Sequence, residues 1–226
     1  VTGSTASITA AVTGPTLGGT ASVAAVSGET TFAGLSLTGT VGTYTITYTS
    51  NGLTSTSQSI DLSPGAASKV VLTTQVTGFV NRTNFTTQPV LEIQDASSNR
   101  VTTSTATVTV SISTGTLTGT TSLAAVAGVV DWSTATTALG KYGTANSKTL
   151  TFASTGLTSA TQTFTLTHGV TTQLAITQAI ASGSTANDTA FGSQPRITIQ
   201  DQDGNTVTTG TDSTQNVTVS MVSGLS

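Results

Sequence analysis

Chemistry in this chain would have to come from very few side chains. There is one histidine, His168, and no cysteine, so thiolate nucleophiles, disulfides and cysteine metal sites are excluded. Serine and threonine abound, but a hydroxyl with no positioned base is not a nucleophile. Glu29, Glu92 and Asp131 stand apart from other acidic residues, so no carboxylate pair for acid–base work is visible. The sequence therefore predicts no enzyme. The densest oxygen cluster is Asp201-x-Asp203-Gly204-Asn205. Alternating oxygen ligands around a glycine turn resemble the opening of a calcium loop, and calcium is the one cofactor the residues suggest. The acidic residue that would close such a loop is missing, and Asp and Asn also cap turns through their own backbone contacts. The incomplete ligand set favours the turn. Four Asn-x-Thr sequons, at Asn81, Asn84, Asn187 and Asn216, are candidate glycosylation acceptors.

Composition narrows the partners. Only 7% of the 226 residues are charged and 4% are aromatic, with a net charge of −3. The six Lys and Arg residues are scattered singly, whereas nucleic-acid binding needs a clustered basic face to displace counterions. No apolar run approaches the roughly 20 residues of a membrane-spanning helix. Val, Ile and Thr recur at regular spacing, which favours strands over disorder.

The elements that would carry these residues are repeated. Val101-Thr-Thr-Ser-Thr-Ala-Thr-Val108 echoes Val1-Thr-Gly-Ser-Thr-Ala-Ser-Ile8, at an offset of about 100 residues. Leu17, Gly19, Ala24-Ala25-Val26, Gly28 and Phe32 recur as Leu117, Gly119, Ala124-Ala125-Val126, Gly128 and Trp132. Gln88-Pro89 and Ile93-Gln94-Asp95 return as Gln194-Pro195 and Ile199-Gln200-Asp201, and a third copy opens at Val207-Thr-Thr. The offset grows by a few residues along the chain, as loop insertions produce. Within each unit, alternation puts Tyr44, Ile46 and Tyr48 on one face, and likewise Val108, Val110 and Ile112, and Val217, Val219 and Met221. Clusters such as Asn51-Gly52 and Asp203-Gly204-Asn205 supply the turns. About seven short strands fit each period, the size of an immunoglobulin-like sandwich. The fold expected is all-β, tandem immunoglobulin-like β-sandwich modules, with Trp132 and Phe152 joining the inner face. His168 aligns with Pro64, which argues against a shared catalytic role.

The combination Gln-Pro-x-x-x-Ile-Gln-Asp, Val-Thr-Val-Ser-Ile and Tyr-Thr-Ile-Thr-Tyr-Thr-Ser-x-Gly-Leu resembles the tandem bacterial immunoglobulin-like repeats of large surface proteins, adhesins and surface layers. The resemblance covers essentially the whole chain and implies an extracellular or cell-surface setting. Some such domains carry an isopeptide lysine on the first strand, where Lys69 stands, but its counterpart is Gln173, so that linkage is not general to the repeat. The frame predicts the C-terminal part of a module over 1–64, a complete module over 65–168, and the N-terminal part of another over 169–226. Neighbouring copies of the chain, head to tail, are the expected partners, because half-modules leave sheet faces and edges uncovered. Two functions follow: a structural filament, stalk or surface lattice, and an adhesive module for a glycan or host-surface protein. The lack of an aromatic cluster favours the first, since binding anchors are typically Trp, Tyr or Arg.

Overall fold

The computed structural model describes residues 5–181 and 188–221. The alternating Thr/Val runs become strands, because branched side chains on both faces suit a pleated surface. Six strands come first: β1 (Ser7–Ala11), β2 (Thr16–Gly18), β3 (Ser22–Ala24), β4 (Ser36–Thr38), β5 (Gly42–Thr49) and β6 (Thr56–Leu62). The next stretch holds β7 (Lys69–Thr74), β8 (Thr83–Asn84), β9 (Val90–Gln94), β10 (Thr107–Ile112), β11 (Thr116–Thr118), β12 (Ser122–Ala124) and β13 (Val129–Asp131). It continues with β14 (Gly140–Tyr142), β15 (Ser147–Ala153) and β16 (Ala160–Thr165). The last pair, β17 (Thr171–Gln178) and β18 (Arg196–Asp201), forms an antiparallel ribbon.

The middle stretch is a sandwich. A four-stranded sheet in the order β12-β10-β15-β16 faces two three-stranded sheets, β13-β9-β7 and β11-β14-β8, and every ladder is antiparallel. One hydrophobic core draws on all of them, with Val70, Leu91, Ile93, Val108, Val110, Val130, Leu139, Leu150, Phe152 and Phe164 buried around Trp132. Trp132 opens a single 3₁₀ turn capped by the Asp131 side chain. Its indole Nε1–H donates to Thr120 O at 2.8 Å, which lets a polar ring lie in the core without an orphaned donor. The first and last strands are tied by parallel backbone pairing. Val70 N–H donates to Thr158 O at 2.8 Å and Thr158 N–H to Ser68 O at 2.9 Å. Thr167 N–H donates to Phe79 O at 2.8 Å and Asn81 N–H to Thr167 O at 3.0 Å.

The first stretch repeats half of this plan. Its sheets are β3-β1-β5-β6 and β2-β4, and the register is kept: Ile8 opposes Val23 as Val108 opposes Leu123, and Ala10 opposes Tyr48 as Val110 opposes Phe152. Of the residues expected inside, Ile46, Val108, Val110, Trp132 and Phe152 are buried, while Tyr44, Tyr48 and Ile112 are half-buried. The tyrosines stay half-open because, among the described residues, only the two-stranded β2-β4 sheet lies over this face, where six strands face the sheet of the middle stretch. The same lack of cover leaves Ile60 of β6 41% exposed where its counterpart Phe164 is 5% exposed, and Leu174 of β17 57% exposed where Val70 is 4% exposed. One expected strand is not formed. Val217, Val219 and Met221 alternate as a strand should, yet residues 215–221 have no ladder partner and all three side chains are exposed.

Candidate functional site: carboxylate clamps between modules

The Ile-Gln-Asp ends of β9 and β18 deliver Asp95 and Asp201 to the two places where one module meets the next. After each aspartate the chain makes a tight turn that returns four residues later at Asn99 or Asn205, with Asp95 N–H donating to Asn99 O and Asp201 N–H to Asn205 O, both at 2.9 Å. The turn needs one left-handed residue. Gly204 supplies it at φ 78°, and Ser98 fills the same position at φ 68°. A side chain in that region costs roughly 1–2 kcal/mol, offset in part by the backbone freedom a glycine loses on folding. Ser98→Gly is therefore expected to stabilise the protein by about 0.5–1 kcal/mol, read as a rise in Tm. A fall in Tm would mean that the Ser98 hydroxyl, which accepts from Lys69 Nζ at 2.8 Å, matters more than the backbone.

At the first junction Asp95 Oδ1 accepts from Asn99 N–H at 2.8 Å, and Oδ2 accepts from Gly65 N–H at 2.8 Å and Asn99 Nδ2 at 3.0 Å. The Asn99 amide then reaches back into the preceding unit: Nδ2 donates to Gly39 O and Val41 N–H donates to Oδ1, both at 2.9 Å. The second junction repeats the arrangement on Gly169, Gly143 and Ala145. Asp201 Oδ2 accepts from Gly169 N–H at 2.7 Å and Asn205 Nδ2 at 2.9 Å, while Oδ1 accepts from the backbone N–H of Asp203 and of Asn205 at 2.9 Å. Asn205 Nδ2 donates to Gly143 O at 2.9 Å, and Ala145 N–H donates to Asn205 Oδ1.

This junction has two further arms from the loop before β8. Asn81 Nδ2 donates to Asp201 Oδ2 at 2.8 Å and Asp203 Oδ2 at 2.7 Å, and Gly143 N–H donates to its Oδ1 at 2.9 Å. Arg82 forks onto Asp203, Nε to Oδ2 at 2.8 Å and Nη2 to Oδ1 at 2.7 Å. Burial alone would push the Asp201 carboxyl up. The Asn205 amide, the Gly169 N–H and the Asn81 amide outweigh burial and hold its pKa down at about 2. Hydrogen bonds from Arg82 lower Asp203, and those from Asn99 lower Asp95.

The calcium candidates Asp201, Asp203 and Asn205 are thus brought together, but their oxygens are spoken for. A carboxylate offers about four lone-pair sites, and Asp201 already accepts five hydrogen bonds. Both Asp203 oxygens face Arg82, and Asn205 Oδ1 faces Ala145 N–H. The residues do not fit a calcium ion, and the turn reading describes them. Asn81 also needs correction as a glycosylation candidate. Its amide nitrogen, the atom a glycan would occupy, is buried against two carboxylates. Asn84 and Asn216 are exposed, and Asn187 lies outside the described residues. His168 sits beside the same junction with a hydroxyl and a carbonyl as neighbours, Nε2 to Thr209 Oγ1 at 2.9 Å and Nδ1 to Gly169 O at 3.0 Å. Among the described residues no three His, Asp or Glu side chains gather as a metal cage, and no helix is long and apolar enough to cross a membrane.

Two buried lysines have no signal in the sequence. Burial pushes Lys141 down to about 8, and its ammonium donates to Gly78 O, Thr83 O and Thr83 Oγ1. Burial also lowers Lys148, which donates to Thr114 O at 3.1 Å. Leu37 stands where Lys141 would in the first unit, paired with Leu17 as Lys141 is with Leu117.

The fold and these junctions define a chain of tandem immunoglobulin-like β-sandwich modules. No family model matches the sequence, and no curated protein matches it. Solved structures do match. A β-glycosidase from Bacteroides vulgatus is 14% identical with TM-score 0.37, covering 71% of this chain and 21% of that chain. A β-glucuronidase from Parabacteroides merdae is 13% identical with TM-score 0.34, covering 70% and 21%. InvD of Yersinia pseudotuberculosis is 17% identical with TM-score 0.38, covering 92% and 62%. The chain therefore spans about a fifth of the length of these glycosidases.

Proposed function

We propose that this is a non-enzymatic structural protein of the cell surface or extracellular space, whose modules form a stalk, filament or lattice held in line by the clamps. The observation that carries this reading is the repetition of the whole clamp at both junctions: the carboxylate on Gly65 or Gly169, and the asparagine on Gly39 and Val41 or Gly143 and Ala145. A flexible tether between independent domains needs no such device, since linkers normally carry few contacts. A carboxylate saturated by neutral donors fixes the angle between units, which is what a spacer under tension requires. The hydroxyl-rich, weakly charged surface and the motif resemblance to bacterial surface repeats support the extracellular setting.

Small-angle scattering on dilute protein tests the reading. The expected curve is that of one stiff, elongated particle. Asn99→Ala removes the reach to Gly39 and Val41 but leaves Asp95 on Gly65, and it is expected to broaden the range of end-to-end distances. A native protein that already scatters as freely jointed beads would remove the basis for the proposal.

A further inference from the structure

In the middle module two glutamines staple sheets together, one across the sandwich and one between the two three-stranded sheets. Gln162 of β16 holds both backbone groups of Val76: Val76 N–H donates to its Oε1 and its Nε2 donates to Val76 O, each at 2.9 Å. Gln88, just before β9, holds Leu139 the same way, accepting its N–H at 2.9 Å and donating to its O at 3.2 Å. Each glutamine has a counterpart on an open surface. Gln58 of β6 opposes Ile46 as Gln162 opposes Leu150, yet it is exposed and its amide has no hydrogen bond among the described residues. Gln194 donates to Phe191 O at 3.0 Å, as Gln88 does to Phe85 O at 2.9 Å, but its Oε1 accepts nothing among the described residues. What each lacks stands on the other surface. Ile180 occupies the place of Val76, and Leu35 that of Leu139.

From this reciprocity we infer that the open face of residues 5–62 is the docking site for the β17–β18 hairpin of a second copy of this chain. The inference rests on the reading that modules continue end to end, and supplies the contact that would do it. The face carries two adjoining hollows of about 390 and 290 Å3, both lined by Tyr48 and Gln58, one reaching Ile8, Phe32 and Leu53, the other Ile46 and Ile60. The hairpin offers Leu174, Ile176, Ile180 and Phe191, all exposed, where Val70, Val76 and Phe85 are buried in the middle module.

The backbone is complementary too. Thr158 takes Val70 N–H and gives its own N–H to Ser68 O, so Thr54 in the same place is set to take Leu174 N–H and give to Thr172 O. Residues 29–31 form no strand, whereas their counterpart β13 is a strand paired with β9, and docked β18 supplies that missing neighbour. A chain's own hairpin cannot serve, because Asn81 and Arg82 hold it at the far end of the middle module. The contact joins two different surfaces, so it adds copies head to tail instead of closing as a two-fold dimer. Val217, Val219 and Met221 repeat the β1 pattern but are not required, since β1 already lies between β3 and β5.

Lys69 and Thr158 are bridge partners, and the chain has no cysteine of its own, so disulfide trapping reads the register directly. A Thr54→Cys chain mixed with a Gln173→Cys chain is expected to give one mixed dimer on oxidation, while Val170→Cys in place of Gln173→Cys gives none. Light scattering over a concentration series is expected to show growing oligomers. Gln58→Ala should weaken association about ten- to hundredfold, as loss of a two-bond buried contact does, and Ile176→Glu should abolish it. Equal trapping by Val170→Cys, or self-linked Thr54→Cys dimers, overturns the register and with it the proposal. So does a chain that stays monomeric throughout, even if it binds a free peptide of the β17 sequence. The stiffness measured on dilute protein is independent of all these outcomes.

Discussion

Asp201→Ala is expected to release the β17–β18 hairpin from the middle module while leaving that module folded. The substitution strands the backbone N–H groups of Gly169, Asp203 and Asn205, and it takes one of two acceptors from the buried amides of Asn81 and Asn205, which keep Asp203 and Gly143 O. Leaving buried donors without a charged acceptor costs about 3–5 kcal/mol. Amide exchange in β17 and β18 should therefore accelerate by two to three orders of magnitude, and exchange in β10 and β15 should change little. Acid should produce the same opening in the native chain. The folded pKa of Asp201, about 2, lies below the ordinary aspartate value of 3.8, so its contribution is complete above that ordinary value. It is lost as pH falls toward 2. Asp95 and Asp203 are lowered as well and work in the same direction. Hairpin exchange that does not respond between pH 5 and 2 would show that the clamp does not depend on the carboxylate charge.

Trp132→Ala is expected to be the most damaging core change. The side chain is wholly buried, meets Phe152 edge-on at 5.9 Å, and hydrogen-bonds Thr120 O. Large-to-small substitution of a buried Trp costs about 3–5 kcal/mol, against a total stability of roughly 5–15 kcal/mol for a domain. The denaturation midpoint followed by circular dichroism should fall steeply. Trp132→Phe should lose much less, because the first unit has Phe32 at that position, packed on Tyr48 at 5.5 Å. Equal losses for the two variants would mean that the hydrogen bond, not the volume, sets the cost.

The repeat made most of the fold legible. Alignment of Phe32 with Trp132 identified a core position, and alternation around Val108 and Val110 identified the buried face. It failed at Val217–Met221, where an alternating pattern has no neighbouring strand to pair with, so propensity alone does not make a strand. The clamp was half visible. Asp and Asn four residues apart recur in both copies, at Asp95 and Asn99 and at Asp201 and Asn205, whereas the second carboxylate of the calcium motif does not. That difference was the available signal for a backbone-capping role. Asn81 was illegible, since its carboxylate partners lie more than a hundred residues away and its sequon spelling pointed to the surface. The glutamines were readable in principle, because Leu53-Thr-Ser-x-x-Gln58 and Leu157-Thr-Ser-x-x-Gln162 align without a gap. Only the structure shows what a glutamine there holds.

The parallel pairing of the middle module's first and last strands has a mechanical consequence. A pull transmitted along the polypeptide enters near Gly65 and leaves near His168, at the two ends of that pairing. The bonds from Val70 and Thr158 and those from Asn81 and Thr167 run across the direction of pull. They are therefore loaded together, in shear, and cannot break in succession as in a peeled hairpin. A module built this way resists tension until several bonds fail at once, so its rupture is governed by the rate of crossing one high barrier and not by its equilibrium stability. The Gly65 and Gly169 clamps sit where the force enters and leaves, so each braces the backbone at that point with a saturated carboxylate.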